Sequence, residues 1–359
     1  MSTETFLTPG QLIKPMINQE TAIDIVKRVY GLNVIKIIEL NAYDDKNYHI
    51  LCETKKFNNQ HINKISDDGY ILKIVNSLDS KKINVIDAQT EMMIFLNENG
   101  ICCPMPIKCI DGNYFSLENL KSSTTSDDKN VVRLLIYRPG KLLINVKKTN
   151  ELMFEVGKYI GTLSNKMQEF IHTGYDNHET IWMLQSVPKI REFLDVLNQE
   201  NQKIVNNIVN EFELKVICCL DYFDKGFIHG DLNEQNIVMA DNERQISAII
   251  DFGDSSKNCL IFDLTISLTY MMLQTENLES GKYVIQGYET VRYLSDKEKS
   301  IIKICVCARL CQSLVLGLYS HKNDPNNEYV LTTQKSGWKL LNQLWFMSDD
   351  TISRIWNIN

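Results

Sequence analysis

The sequence predicts an α+β fold in two lobes, a small β-rich N-terminal lobe over residues 1–137 and a larger, mainly helical C-terminal lobe over 138–359. Three observations predict it. At 359 residues the chain exceeds the usual span of one compact domain. Strand-like runs cluster before residue 140, whereas from Glu151 onward the apolar spacing turns helical. Hydrophobic residues make up 44% and charged residues 23%, which suits a chain that buries a core and leaves little room for disorder.

The elements follow in order. In "INQETAIDIVKRVYGL" Asn18 can cap a helix, Ile23, Val26 and Val29 or Tyr30 share a face, and Gly31 stops it. "VIKIIEL" (Val34 to Leu40) and "YHILCET" (Tyr48 to Thr54) read as strands around the polar loop "NAYDDKN", and "YILKIVN" (Tyr70 to Asn76) is a third. "VIDAQTEMMIFLNENG" sets Ala88, Met92, Phe95 and Leu96 at helical spacing before Gly100. "CPMPIKCI" and "YFSLENL" flank "DGN" as a hairpin, and "KSSTTSDDKN" reads as a polar, mobile connection. "VVRLLIY" returns as a buried strand that "RPGK" breaks. Helices then dominate in "ELMFEVGKYIGTLSNKMQEF", "IVNNIVNEFELKVICCLDYF" and "KEKSIIKICVCARLCQSLVLGLY".

Charge and cysteine usage narrow the function. A net charge of -7 would repel phosphate backbones, so no nucleic-acid partner is expected and small cationic partners fit better. The start of the chain lacks a basic region followed by an apolar run, and no stretch reads as the ~18 apolar residues of a membrane helix. A cytoplasmic protein without a membrane partner is expected. The ten cysteines form no spaced framework, and "CVCARLC" (Cys305 to Cys311) reads as buried free thiols in a helix rather than a metal site.

Two stretches carry chemistry. "FIHGDLNEQNIVM" (Phe227 to Met239) and "ISAIIDFGDSS" each end an apolar run on a carboxylate, placing Asp231 and Asp251 twenty residues apart with Asn236 between them. Oxygen donors of this kind hold a hard cation such as Mg²⁺ against phosphate, while a second carboxylate takes the proton of an attacking hydroxyl.

"HGDLNEQN" followed by "IIDFGD" resembles the catalytic and metal loops of the aminoglycoside phosphotransferase-like kinases, relatives of protein kinases that phosphorylate small molecules. The resemblance implies a bilobal protein-kinase-like fold. It also implies Asp231 as catalytic base, Asn236 and Asp251 as metal ligands, His229 as loop support, and Asp263 in "IFDLT" as a structural carboxylate. In "YILKIV", Lys73 sits mid-strand and Glu91 lies on the next helix, matching the kinase lysine–glutamate pair for the nucleotide phosphates. "NAYDDKN" lacks a Gly-x-Gly pattern, so backbone amides with Asn41 or Asn47 would cover the phosphates. "LLIYRPG" resembles the hinge, where backbone groups of Leu135 to Tyr137 would read the base.

The departures bear on the substrate. No Ala-Pro-Glu segment follows "DFG", and Asn233 stands where protein kinases place a lysine, which argues against a protein acceptor. Glu234 stands where family members often carry Pro; it could meet a cationic substrate or face water, and water is the expectation. Arg309 and Gln312 are polar residues in an apolar helix. Arg309 could clamp a substrate carboxylate or bridge two helices, and Asp254 could meet an ammonium. "NAYDDKNYHI", "VVRLLIYRPG", "CARLCQSLVLGLYS" and "SGWKLL" carry a narrower resemblance, to the branch of the family that phosphorylates the side-chain hydroxyl of 5-hydroxy-L-lysine with GTP. It implies that acceptor, GTP as co-substrate with Mg²⁺, and a place in lysine degradation. Choline, ethanolamine, homoserine and aminoglycoside acceptors remain open, as does a nucleotide-binding pseudokinase.

Overall fold

The computed structural model describes residues 6–120 and 129–358. Most of the polar connection expected over "KSSTTSDDKN", residues 121–128, lies outside the described residues. The described chain divides into two compact units, one ending at Pro139 and the other running from Gly140 onward. Phe6–Gly10, expected in the N-terminal lobe, belongs to the second unit. Its contacts explain why: the Gly10 amide donates to Tyr319 Oη at 2.6 Å, and Lys189 Nζ sits 3.7 Å from the centre of the Phe6 ring.

The first unit runs α1 (Gln19–Tyr30), β1 (Leu32–Leu40), β2 (Lys46–Phe57), β3 (Tyr70–Ile74), α2 (Ile83–Glu98), β4 (Pro106–Ile107), β5 (Ser116–Glu118) and β6 (Asn130–Ile136). Its antiparallel sheet has the order β1-β2-β3-β6-β4, with β5 also on β6. Asn18 caps α1 by accepting from the Thr21 amide at 2.9 Å, and Gly31 ends it in the left-handed region at φ 66°. The buried face is Ala22, Ile25, Val26, Val29 and Tyr30, rotated from the expected stripe, so that Ile23 is only half-buried. It packs on Tyr48, Ile50, Tyr70, Leu72 and Leu134 of the sheet.

The expected hairpin around "DGN" is corrected. β4 and β5 do not pair with each other; Pro106 and Ile107 align with Leu135 and Leu134, while Ser116–Glu118 align with Val132–Asn130. The intervening chain closes on itself through Cys109 N–H to Asn113 O at 2.7 Å. Each short strand therefore satisfies its backbone along a different part of β6.

The second unit contains β7 (Lys141–Leu142), α3 (Asn150–Met167), α4 (Gln199–Lys215), β8 (Lys225–Ile228), β9 (Ile237–Met239), β10 (Ile246–Ile249), β11 (Ser256–Cys259), α5 (Ile261–Thr275), α6 (Ser280–Glu289), α7 (Asp296–Asn323), α8 (Gln334–Phe346) and α9 (Asp349–Trp356). The helix expected through Phe223 stops at Lys215, and 3-10 turns cover Ile217–Tyr222. Two small antiparallel sheets, β10-β9-β7 and β11-β8, hold the polar loops 229–236 and 250–255 at their ends. Helix α5 is buried from Ile261 through Leu273 and packs on α7.

Helix α7 overturns one expectation from the sequence. It is 28 residues long and contains a window of mean hydropathy 1.8, enough to span a membrane by length and composition. That window is 89% buried within the protein, and Cys305, Cys307 and Cys311 within it are fully buried free thiols.

A Cβ at Gly31 would lie 2.1 Å from Asn58 O, so Gly31→Ala meets both a backbone clash and an unfavourable φ. Chemical denaturation of this variant is expected to show a loss of about 2 kcal/mol or more.

Candidate active site

Loop 229–236 is held open by hydrogen bonds that its own backbone cannot make. Asp263, on the first turn of α5, accepts from the His229 amide through Oδ2 and the Gly230 amide through Oδ1, both at 2.8 Å. Burial pushes its carboxyl up, and the hydrogen bonds from the two amides oppose that shift. His229, fully buried, accepts from the Asp231 amide at Nδ1, 3.3 Å away, so its Nε2–H faces Ile250 O at 3.1 Å. The Ile250 amide returns a bond to Asn236 O at 2.9 Å. The two polar loops are thereby stitched through one residue.

Gly230 makes that approach possible. Its φ is 82°, and a Cβ there would lie 2.2 Å from Asp254 O. Asp254 itself is half-buried and already engaged by other groups.

Three donors orient the Asp231 carboxylate. Oδ2 accepts from the side-chain amides of Asn233 and Asn236, each at 2.8 Å, and Oδ1 accepts from Arg309 Nη2 at 2.9 Å. Asn236 Nδ2 also reaches Asp231 O at 2.9 Å, so its amino end is committed and its Oδ1 has no protein donor among the described residues. Asp251 stands exposed at a left-handed corner, φ 63°, and accepts from the Gly253 amide at 3.3 Å. The resemblance implies Mg²⁺, and the donors fit it: Asn236 Oδ1 and Asp251 are hard oxygens. No cluster of three or more His, Cys, Asp or Glu ligands occurs among the described residues, so phosphate and water must complete the coordination.

Arg309 and Gln312 do not sit where the carboxylate-clamp reading puts them. Arg309 is 2% exposed on α7 and every arm of its fork is used: Nε to Tyr270 Oη at 3.1 Å, Nη1 to Trp182 O and Gln312 Oε1 at 3.1 and 3.0 Å, and Nη2 to Asp231. Tyr270 Oη accepts from Arg309 and shares a hydrogen bond with Ser313 Oγ at 2.7 Å. Gln312 Nε2 is held by the Ile181 and Met183 carbonyls at 2.7 and 3.1 Å. Four of the five guanidinium N–H groups and both Gln312 amide hydrogens are thus spent inside the protein. The guanidinium is a buried brace behind Asp231, closer to the salt-bridge alternative.

Glu234 is the second correction. It does not face water: it is 5% exposed, Oε1 accepts from Gln274 Nε2 at 3.1 Å, and Oε2 is buried with no hydrogen-bond partner. Burial pushes its carboxyl from 4.5 up to about 7, Asp231 adding to the rise and Lys148 opposing it. Lys148 Nζ is itself tied to Ile144 O at 2.5 Å. The Tyr329 phenol is raised by burial and then by the charges of Asp231, Asp251 and Glu234. Sequence reading missed Tyr329, Tyr270 and Gln274, because nothing in a helical run marks which side chain meets a distant loop.

In the first unit, Lys73 on β3 is 6% exposed and pairs with Asp45 Oδ2 at 3.0 Å. Asp45, in the loop after β1, also accepts from the Asn76 amide at 2.8 Å. It is Asp45 that carries this loop to Lys73; Asn41 is exposed, whereas Asn47 lies opposite Lys73 across β2 and β3 with its Oδ1 buried and unbonded. Glu91 lies exposed on α2. At the hinge-like segment the Ile136 amide donates to Met105 O at 2.8 Å and the Tyr137 amide to Gly69 O at 3.2 Å, while Leu135 pairs with Ile71 and Pro106. Those two amides are committed to neighbouring carbonyls, so of the backbone groups expected to read a base they are not the donors.

An aspartate oriented for a hydroxyl proton, beside an amide and a carboxylate suited to a cation on phosphate, defines a phosphotransferase. The chain belongs to the phosphotransferase enzyme family, whose model matches residues 55–294. It is 34% identical over 358 residues to a hydroxylysine kinase of Xenopus laevis, covering 96% of this chain and 94% of that one. To a hydroxylysine kinase of Bos taurus it is 33% identical over 361 residues, again 96% and 94%. Among solved structures, a microcompartment-associated aminopropanol kinase superposes with TM-score 0.66 at 14% identity, over 92% of this chain and 99% of that one. The fold is the bilobal α+β fold of protein-kinase-like enzymes. The chain is thus a phosphotransferase with an alcohol group as acceptor.

Arg309→Met leaves Asp231 without its charged partner, so a stability loss of about 3–5 kcal/mol is expected in urea titration, with kcat falling more than nucleotide affinity. Arg309→Lys, lacking the fork, should restore little of either.

Glu234 has a folded value above its ordinary one, so its contribution to stability is complete below 4.5 and is lost as pH rises to about 7. In EDTA, Glu234→Gln is expected to match the wild type below that window and to exceed it above pH 7 by on the order of 3 kcal/mol. Thermal unfolding across pH 4 to 9 reads the difference.

Proposed function

We propose that this protein transfers the γ-phosphoryl group of GTP to the side-chain hydroxyl of 5-hydroxy-L-lysine, giving 5-phosphohydroxy-L-lysine and GDP, in the cytoplasm. What supports the reading is the Asp231, Asn236 and Asp251 constellation in a chain that aligns nearly end to end with hydroxylysine kinases. The choice of GTP rests on the narrower resemblance of motifs such as "AYDDKNYH".

The mechanism uses each side chain for what its geometry allows. Asp231, fixed by Asn233, Asn236 and Arg309, accepts the hydroxyl hydrogen bond and then the proton as the oxygen bonds to phosphorus. The bond from phosphorus to the leaving GDP oxygen breaks as the new one forms. Asn236 turns its Oδ1 outward because its amino end is tied to Asp231, and Asp251 supplies a carboxylate. A Mg²⁺ ion held by these two would neutralise charge on the phosphate oxygens. Lys73 anchors the nucleotide phosphates, which displace Asp45 from its ammonium. His229 and Asp263 keep the loop in shape without touching the reactants.

A nucleoside-diphosphate release assay tests the proposal by crossing GTP and ATP against 5-hydroxy-L-lysine, lysine, choline, ethanolamine and homoserine. Release with hydroxylysine and GTP is expected. Release with another acceptor moves the substrate assignment, and nucleotide binding without any transfer would favour a pseudokinase. Asp231→Asn should lower kcat by about 10³-fold or more while GTP affinity stays within a few-fold. Full activity in that variant removes Asp231 as the base.

A further inference from the structure

We propose that Glu234 is the seat of the substrate ammonium carried on the carbon next to the reacting hydroxyl, and so sets the acceptor preference of the enzyme. The inference rests on the reading of 5-hydroxy-L-lysine as acceptor, whose side chain carries the hydroxyl and an ammonium on neighbouring carbons.

The first support is an unanswered polar atom. Glu234 is 5% exposed and its Oε2 has no partner, while Oε1 receives only the neutral amide of Gln274. A buried carboxylate without a cation is costly, and no Lys, Arg or His nitrogen comes within 4 Å of it among the described residues. Lys148, the cation whose charge it feels, is bound to the Ile144 carbonyl. An arriving ammonium supplies what is missing.

Position is the second support. Glu234 lies three residues beyond Asp231 on the same loop, near enough that the Asp231 charge helps to raise its carboxyl. A hydroxyl and an ammonium on adjacent carbons are ~3 Å apart, so a substrate oxygen on Asp231 carries its ammonium toward this part of the loop. Arg309 neutralises only Asp231, which leaves the group with excess negative charge. Asp254, the other carboxylate considered for an ammonium, already has interactions of its own.

The test compares 5-hydroxy-L-lysine with 2-amino-5-hydroxyhexanoate, which has a methyl where hydroxylysine carries CH₂–NH₃⁺. The wild type should prefer hydroxylysine by about 30-fold or more in kcat/KM, mostly through KM. Glu234→Gln should bring the two acceptors within a few-fold of each other by losing on hydroxylysine, with the KM for nucleotide unchanged. Glu234→Asp keeps the charge and should keep the preference, a rescue that a purely structural role does not produce. If Glu234→Gln retains the wild-type preference, or if the wild type does not discriminate, the inference is overturned while the kinase reading stands. If the wild type phosphorylates neither compound, the acceptor reading has failed and the inference fails with it.

Discussion

The Asp231 carboxylate is held from behind by one buried guanidinium, and the arrangement of the second unit follows from that pair. A guanidinium at 2% exposure is tolerable only when each arm of its fork finds an oxygen, and Arg309 finds Tyr270, Trp182, Gln312 and Asp231. These partners come from the 180s segment, α5, α7 and the polar loop, so the pair draws four separate stretches to one point. The result is a carboxylate that cannot rotate. Its remaining lone-pair directions are set before any ligand arrives.

A second constraint shapes the loop itself. Asp263 answers the His229 and Gly230 amides from inside α5, and Ile250 answers His229 with its carbonyl and Asn236 with its amide. The loop is therefore rigid because its backbone is satisfied by neighbours, whereas a free loop would be satisfied by water. Glu234 breaks this economy. Its side chain is 5% exposed, its Oε1 takes only the neutral Gln274 amide, and its Oε2 is buried without a hydrogen-bond partner.

In the first unit the same logic applies to Lys73. Its ammonium is buried on β3 and meets Asp45, a residue of the loop between β1 and β2 that lacks glycines. Where a glycine-rich loop would offer backbone amides, this one brings a carboxylate to the lysine.

The sequence by itself determined the elements with strong local signals. Asn18 and Gly31 bracket α1, the strands around "NAYDDKN" stand out as β-rich runs, and Asp231, Asn236 and Asp251 stand at spacings that few other chemistries need. Signals that depend on the partner were not legible. α7 is apolar and long enough to span a membrane, which the sequence reading passed over, and its apolar faces meet α5 and the neighbouring helices. β4 and β5 read as a hairpin because the turn is local, yet their partner, β6, is separate. Arg309 and Glu234 are polar letters in sequence, and only the tertiary structure decides that one is spent on Asp231 and the other is left without a cation. The physical reason is common to all of these: burial and pairing are properties of residues distant along the chain, and local pattern records neither.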